Sequence, residues 1–170
     1  MIWQIFSVAG IGDSRIGVMP RPRGGDWLGG DLRSAREQGF SVIVSLLTDD
    51  EQRELKLQHE CTLCGDLGLT FRRWPITDLS VPELNDETIA FLAGIRQLYA
   101  AGNSIAIHCR AGMGRSPMIA ACVMLSPNCS AHVAFHKLSG ARGFTVPETP
   151  EQREWAASYE KLLLASKKSQ

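Results

Sequence analysis

The sequence predicts an α/β fold with a mostly parallel central sheet flanked by helices on both faces. Three observations lead there. Short apolar runs, VIVSLL at 42–47 and SIAIHC at 104–109, read as buried strands, the first of them rich in β-branched residues. Segments with helical spacing and helix punctuation lie between them, so strands and helices alternate. The 170 residues, 44% of them hydrophobic, suffice for one proper core. The expectation is a single domain over residues 1–170, with 166–170 as a frayed tail.

The elements follow in order. IWQIFSVA (2–9) and RIGVMP (15–20) read as two early strands. PRPRGGDWLGG is turn-rich and carries two arginines; a helix over 28–38 then ends at Gly39. DDEQRELKL and HECTLCGDLG, after the strand at 42–47, read as short helices, and LTFRRWP as a strand. Residues 85–101 form the clearest helix, with Ile89, Leu92, Ile95 and Leu98 on one face and Gly102 as its stop. The strand at 104–109 is followed by helices at 117–125, about 130–139, and 150–166.

Bulk properties exclude several classes. Lys plus Arg and Asp plus Glu are both 18, so there is no basic footprint for nucleic acid. No apolar run approaches the roughly 20 residues of a membrane span. The opening MIWQIFSVAG lacks a basic n-region and a long apolar stretch, so it does not read as a secretion signal. Five cysteines, an odd count without such a signal, argue for free thiols in a reducing compartment, and cytoplasm is the expectation.

The chemistry concentrates in IHCRAGMGRSPMIAACVML, residues 107–125. A short loop from strand to helix leaves backbone N–H groups unpaired, and glycines let them converge on an anion. The helix that follows adds its own free N–H groups and dipole. Ser116 fits the N-cap and Pro117 the first helical position. Phosphate would then meet the N–H groups of Arg110, Ala111, Gly112, Met113, Gly114 and Arg115. The Arg115 guanidinium can grip two phosphoryl oxygens. A cysteine in such a field favours its thiolate form, and a thiolate in a phosphate cradle implies attack on phosphorus and a covalent phosphocysteine. A Walker loop would need Gly at Cys109 and Lys at Arg115.

The run His108-Cys109-x5-Arg115-Ser116 resembles the signature of the cysteine-based protein tyrosine and dual-specificity phosphatases. Element order, an acidic loop upstream and a Gln-containing segment downstream extend the likeness over most of the chain. Its compact size is similar to the small, kinase-associated-phosphatase-like branch. The resemblance implies a protein tyrosine phosphatase-like fold and metal-independent catalysis with no cofactor. It gives Cys109 as nucleophile and Arg115 as phosphate ligand. It implies a Ser116 hydroxyl that helps the sulfur leave, a His108 that orders the loop from a buried position, and a Gln152 that positions water.

A phosphate monoester's leaving oxygen needs a proton. Asp78 in WPITDLSVPEL, 31 residues before Cys109, is the candidate acid in the first step and base in the second. Glu83 and Asp86 read as caps of the next helix. Arg21, Arg23 and Arg142 are candidates for substrate contact, while Trp27 reads as a packing anchor. Cys61 and Cys64 lack a second ligand pair, so they read as one buried helix face and not as a metal site.

The expected function is therefore a monomeric protein phosphatase acting on phosphoprotein or phosphopeptide, phosphotyrosine first, with phosphoserine and phosphothreonine within reach of a shallow site. The alternatives are a phosphatase of phosphoinositides or other small phosphomonoesters, and a phospho-binding module with little turnover.

Overall fold

The computed structural model describes residues 3–10 and 12–168. The strands are β1 (Phe6–Ala9), β2 (Arg15–Met19), β3 (Val42–Ser45), β4 (Thr70–Arg73) and β5 (Ile105–His108). They form one sheet in the order β1-β2-β5-β3-β4. The last four run parallel and β1 is an antiparallel edge. The helices are α1 (Leu28–Glu37), α2 (Asp49–Glu54), α3 (Glu60–Asp66), α4 (Asp86–Ala100), α5 (Arg115–Met124), α6 (Ala131–Arg142) and α7 (Pro150–Lys168).

Side-chain alternation along the strands sorts the core into two layers. Ile16, Val18, Val42, Val44, Ile105 and Ile107 face α4, α5, α6 and α7. Ile43 and Ala106 face α1, α3 and Trp3. Helices thus cover both faces, as the buried strand runs require. All ten residues of α5 are buried, because sheet and neighbouring helices enclose it on every side.

Several boundaries differ from expectation. The first strand begins at Phe6, because Trp3 is held by side-chain bonds: its indole N–H donates to Pro20 O and its carbonyl accepts from Gln38. Residue 2 lies outside the described residues. Asn85, not Glu83 or Asp86, caps α4, accepting from the Thr88 N–H. α6 continues to Arg142, stopped by Gly143 at a φ of 79°. α7 runs on to Lys168, so the residues expected to fray are helical through 168, while 169–170 lie outside the described residues. Trp27 is no packing anchor: it is 64% exposed, with Arg23 stacked over its ring.

Candidate active site

β5 ends at His108, the chain turns at Cys109, and α5 begins at Arg115. The expected cap is corrected here. The helix starts earlier than Pro117, with Gly114 at its cap position and no side-chain cap bond. The Ser116 hydroxyl points inward instead and lies 3.4 Å from Cys109 Sγ. The Gly112 N–H donates to the same sulfur at 3.3 Å. Gly112 has a φ of 71°, and a Cβ there would stand 2.5 Å from the Met19 carbonyl carbon. Only glycine lets the loop press against β2 in this conformation.

Arg115 is 1% exposed. Its Nη1 donates to Glu51 Oε2 and Ile76 O, both at 2.8 Å, and its Nη2 donates to Glu51 Oε1 at 2.9 Å. Nη2 also pairs with Asp78 Oδ1 at 2.8 Å, although the Asp78 side chain is 56% exposed. Nε has no acceptor among the described residues. Burial alone would disfavour both charges. The mutual bonds prevail, holding the Glu51 carboxyl below the usual carboxylate range and raising the Arg115 guanidinium above its ordinary value. Glu51 also closes a capping box with Thr48 at the start of α2, which fixes its rotamer.

His108 follows Ala106 onto the α1/α3 face of the sheet, away from the sulfur. There its Nε2 meets Glu60 Oε1 at 2.8 Å, both side chains fully buried, with Trp3 edge-on to the ring.

Gln152 is fully buried, not a solvated first-turn residue. The sequence Thr149-Pro-Glu-Gln152 forms a capping box: the Gln152 N–H donates to Thr149 Oγ1 at 3.2 Å, and Gln152 Oε1 accepts from the Thr149 N–H at 3.3 Å. Oxygen is thereby committed to the helix start. Nε2 lies against Gly114, 2.8 Å from where a Cβ would stand, and has no acceptor among the described residues.

The flanking arginines divide. Arg142 joins the loop, its Nη2 donating to Ala111 O at 3.4 Å and its guanidinium carbon lying over the Phe6 and Phe144 rings. Arg21 donates its N–H to Arg110 O, so it borders the loop through its backbone. Arg23 is committed elsewhere, its guanidinium and backbone N–H both bonded to Asp31. Arg110 turns its side chain outward to Glu54. Met113, 37% exposed, sits on the rim. Cys61 is exposed and Cys64 buried, so the two do not share one buried face; burial, with Glu60 nearby, pushes the Cys64 thiol up to about 12.

Glu51, Glu54 and Glu60 are the supporting residues that sequence reasoning missed. The T-x-x-E pattern at 48–51 marks a helix start but not its tie to Arg115. No local pattern identifies Glu60.

A family model described as a polymorphic toxin system DSP-PTPase phosphatase matches residues 17–127, from β2 through α5. Among solved structures, the chain is similar to a kinase associated phosphatase with its catalytic site cysteine changed to serine. That match has 20% identity, covers 97% of this chain and 98% of the other, and gives a TM-score of 0.79. Tk-PTP in its active form is 26% identical over 91% of this chain and 96% of its own, with a TM-score of 0.66. PTPMT1 in complex with PI(5)P is 20% identical over 93% and 97%, with a TM-score of 0.70. No curated protein matches the chain.

Proposed function

Since the chain belongs to the DSP-PTPase phosphatase family of polymorphic toxin systems, a family of cysteine-dependent phosphatases, we propose that it dephosphorylates phosphoproteins, phosphotyrosine first, through a phosphocysteine intermediate. One observation carries the reading. A nucleophile, an anion-gripping fork and a carboxylate converge in hydrogen-bonding steps: Cys109 Sγ on Ser116 and the Gly112 N–H, Arg115 on Asp78.

Two displacements at phosphorus complete the turnover. The Cys109 thiolate attacks phosphorus, and the ester bond breaks as Asp78, protonated, gives its proton to the leaving oxygen. Arg115 Nε and Nη2, with the N–H groups of 110–115, stabilise the equatorial oxygens. Glu51 keeps that fork oriented while Asp78 yields its place on Nη2 to phosphate. Water then attacks phosphorus, Asp78 takes its proton, and sulfur departs as thiolate with the Ser116 hydroxyl donating to it. Gln152 Nε2, unclaimed by the capping box, is the group that orients this water.

Protein substrate is favoured over phosphoinositide because the loop interior, Arg-Ala-Gly-Met-Gly, contains no lysine. The test is hydrolysis of an aryl phosphate, with and without chelator, by wild type and Cys109→Ser. Wild-type turnover insensitive to chelator and abolished in the variant is the expected result. Inactive wild type would leave a phospho-binding module, and an undiminished variant would remove Cys109 from the reaction. A panel of phosphotyrosine, phosphothreonine and phosphoinositide substrates ranks the classes.

A further inference from the structure

Helix α2 presents a carboxylate to each arginine of the loop. Glu51 faces the buried Arg115, and one turn later Glu54 takes Arg110. The second pair is bidentate, Nη2 to Oε1 at 2.6 Å and Nη1 to Oε2 at 3.1 Å. It stands open to water, with 42% of the Arg110 and 60% of the Glu54 side chain exposed. The charges that reach Arg110 are Glu54, Glu51 and Asp78, and Arg21 reaches Glu54. Arg110 directly follows Cys109 and its carbonyl accepts from the Arg21 N–H, which sets the pair beside the early loop at the rim of the phosphate loop. An exposed pair of this kind contributes little to stability and exchanges readily with other anions.

We propose that Arg110 is a second anion site at the rim of the phosphate loop, held by Glu54 until a carboxylate beside the phosphorylated residue of the substrate displaces it, so that Glu54 sets the preference for acidic phosphopeptides. The inference rests on the phosphatase reading above. Glu54 is the template for the ligand, since the Arg110 fork already grips a carboxylate in the bidentate geometry that a planar guanidinium favours. The exchange preserves both bonds. What drives it is tethering: the incoming carboxylate belongs to a molecule already anchored through phosphate, at high effective concentration, while Glu54 returns to water. Arg110 directly follows Cys109, so the displacing residue lies close in sequence to the phosphorylated one.

The experiment compares kcat/KM for a phosphotyrosine peptide with flanking Glu, the same peptide with Gln, and an aryl phosphate. The enzymes are wild type, Glu54→Gln, Arg110→Gln and the double variant. Glu54→Gln is expected to raise the Glu-over-Gln peptide ratio roughly fivefold, mainly through KM, the scale of an exposed charge pair. Arg110→Gln should abolish the preference, and Glu54→Gln should add nothing to it. A change below about twofold in the single variant, within the scatter of surface charges, overturns the proposal. So does an equal gain in the Arg110→Gln background, which marks a general field effect, or a change confined to kcat. If a bisphosphorylated inositol headgroup responds to Glu54→Gln and the peptides do not, the second anion is a phosphate and the peptide assignment falls. Wild type without aryl phosphate turnover overturns the phosphatase reading itself; turnover with a flat peptide ratio overturns only the gate.

Discussion

The phosphate loop and the acid loop meet at one ion pair, yet they are built in opposite ways. Residues 109–115 are tied from four directions: β2 behind Gly112, α2 through Glu51, α6 through Arg142, and the capping box of α7 through Gln152. The acid loop is pinned only at its flanks. The Trp74 and Ile76 N–H groups donate to β3 and its extension, and the Trp155 indole donates to Pro82 O. Between those pins Asp78 and Leu79 stand exposed, with Leu79 at a φ of 60°, a left-handed conformation that costs a leucine about 1–2 kcal/mol. The contrast is between a cradle whose geometry is fixed before substrate arrives and a carboxylate, the proposed proton donor, held among the described residues by its pair with Arg115.

The sharpest way to break that contrast is to unseat the fork. Arg115→Ala removes the anion ligand and leaves Glu51 facing the interior without its partner. A kcat/KM loss of at least about 10²–10³-fold is expected, as for loss of an oxyanion donor. Loss of about 3–5 kcal/mol of stability should accompany it, the cost of orphaning a buried charge, read by urea denaturation. A variant with full stability would show that Glu51 is less committed than its geometry implies.

On the acid-loop side, Asp78→Ala should leave the fold intact. Turnover of a poor leaving group is expected to fall about 10²–10⁴-fold, the usual contribution of general acid catalysis, and turnover of an activated aryl phosphate far less. Equal losses on both substrates would remove Asp78 from proton transfer.

Gly112→Ala tests the rigidity of the cradle. The added methyl meets the Met19 backbone, which cannot give way as a flexible side chain can. Strain of about 1–3 kcal/mol is expected, with kcat falling because the loop N–H groups lose their common focus.

Glu51→Gln gives the smallest effect and the most specific one. The folded Glu51 carboxyl is depressed, so its contribution is present above the ordinary glutamate value and lost as pH falls through the folded one. Near neutrality the variant should melt about 2–4 °C lower, the shift of ~1 kcal/mol in a domain of this size. That gap should close below about pH 4, near the unperturbed glutamate value. A gap constant across the acid range would mean that Glu51 does not change its proton on unfolding.

The two loops also differ in how much of each the sequence disclosed. Cys109, Gly112 and Arg115 lie within one short loop, so a phosphate cradle can be proposed from adjacency, whereas Ser116, expected as a cap, turns to the sulfur instead. Gln152 carries a local signal too, because T-P-E-Q is a capping box, although burial of its amide depends on packing against Gly114. The glutamates that hold the cradle carry none. Glu51 meets Arg115 across 64 positions, Glu54 meets Arg110 across 56, and Glu60 meets His108 across 48. Those pairings exist because parallel strand order brings the ends of β3 and β5 side by side, a tertiary fact. The same limit explains Arg23, whose neighbours in sequence suggested substrate and whose partner is Asp31 of α1.

The complete burial of α5 has a consequence for the timescale of motion. A helix with water on none of its faces cannot fray without opening both the sheet and three neighbouring helices. Its amides should therefore exchange with solvent deuterium only through global unfolding, and the loop it carries inherits that slow clock. The amides of 77–81 should exchange many orders of magnitude sooner. Evolution of new specificity is thus easier in the quick segment, where a substitution disturbs little else, than at the anchor, where every change is paid for by the whole molecule.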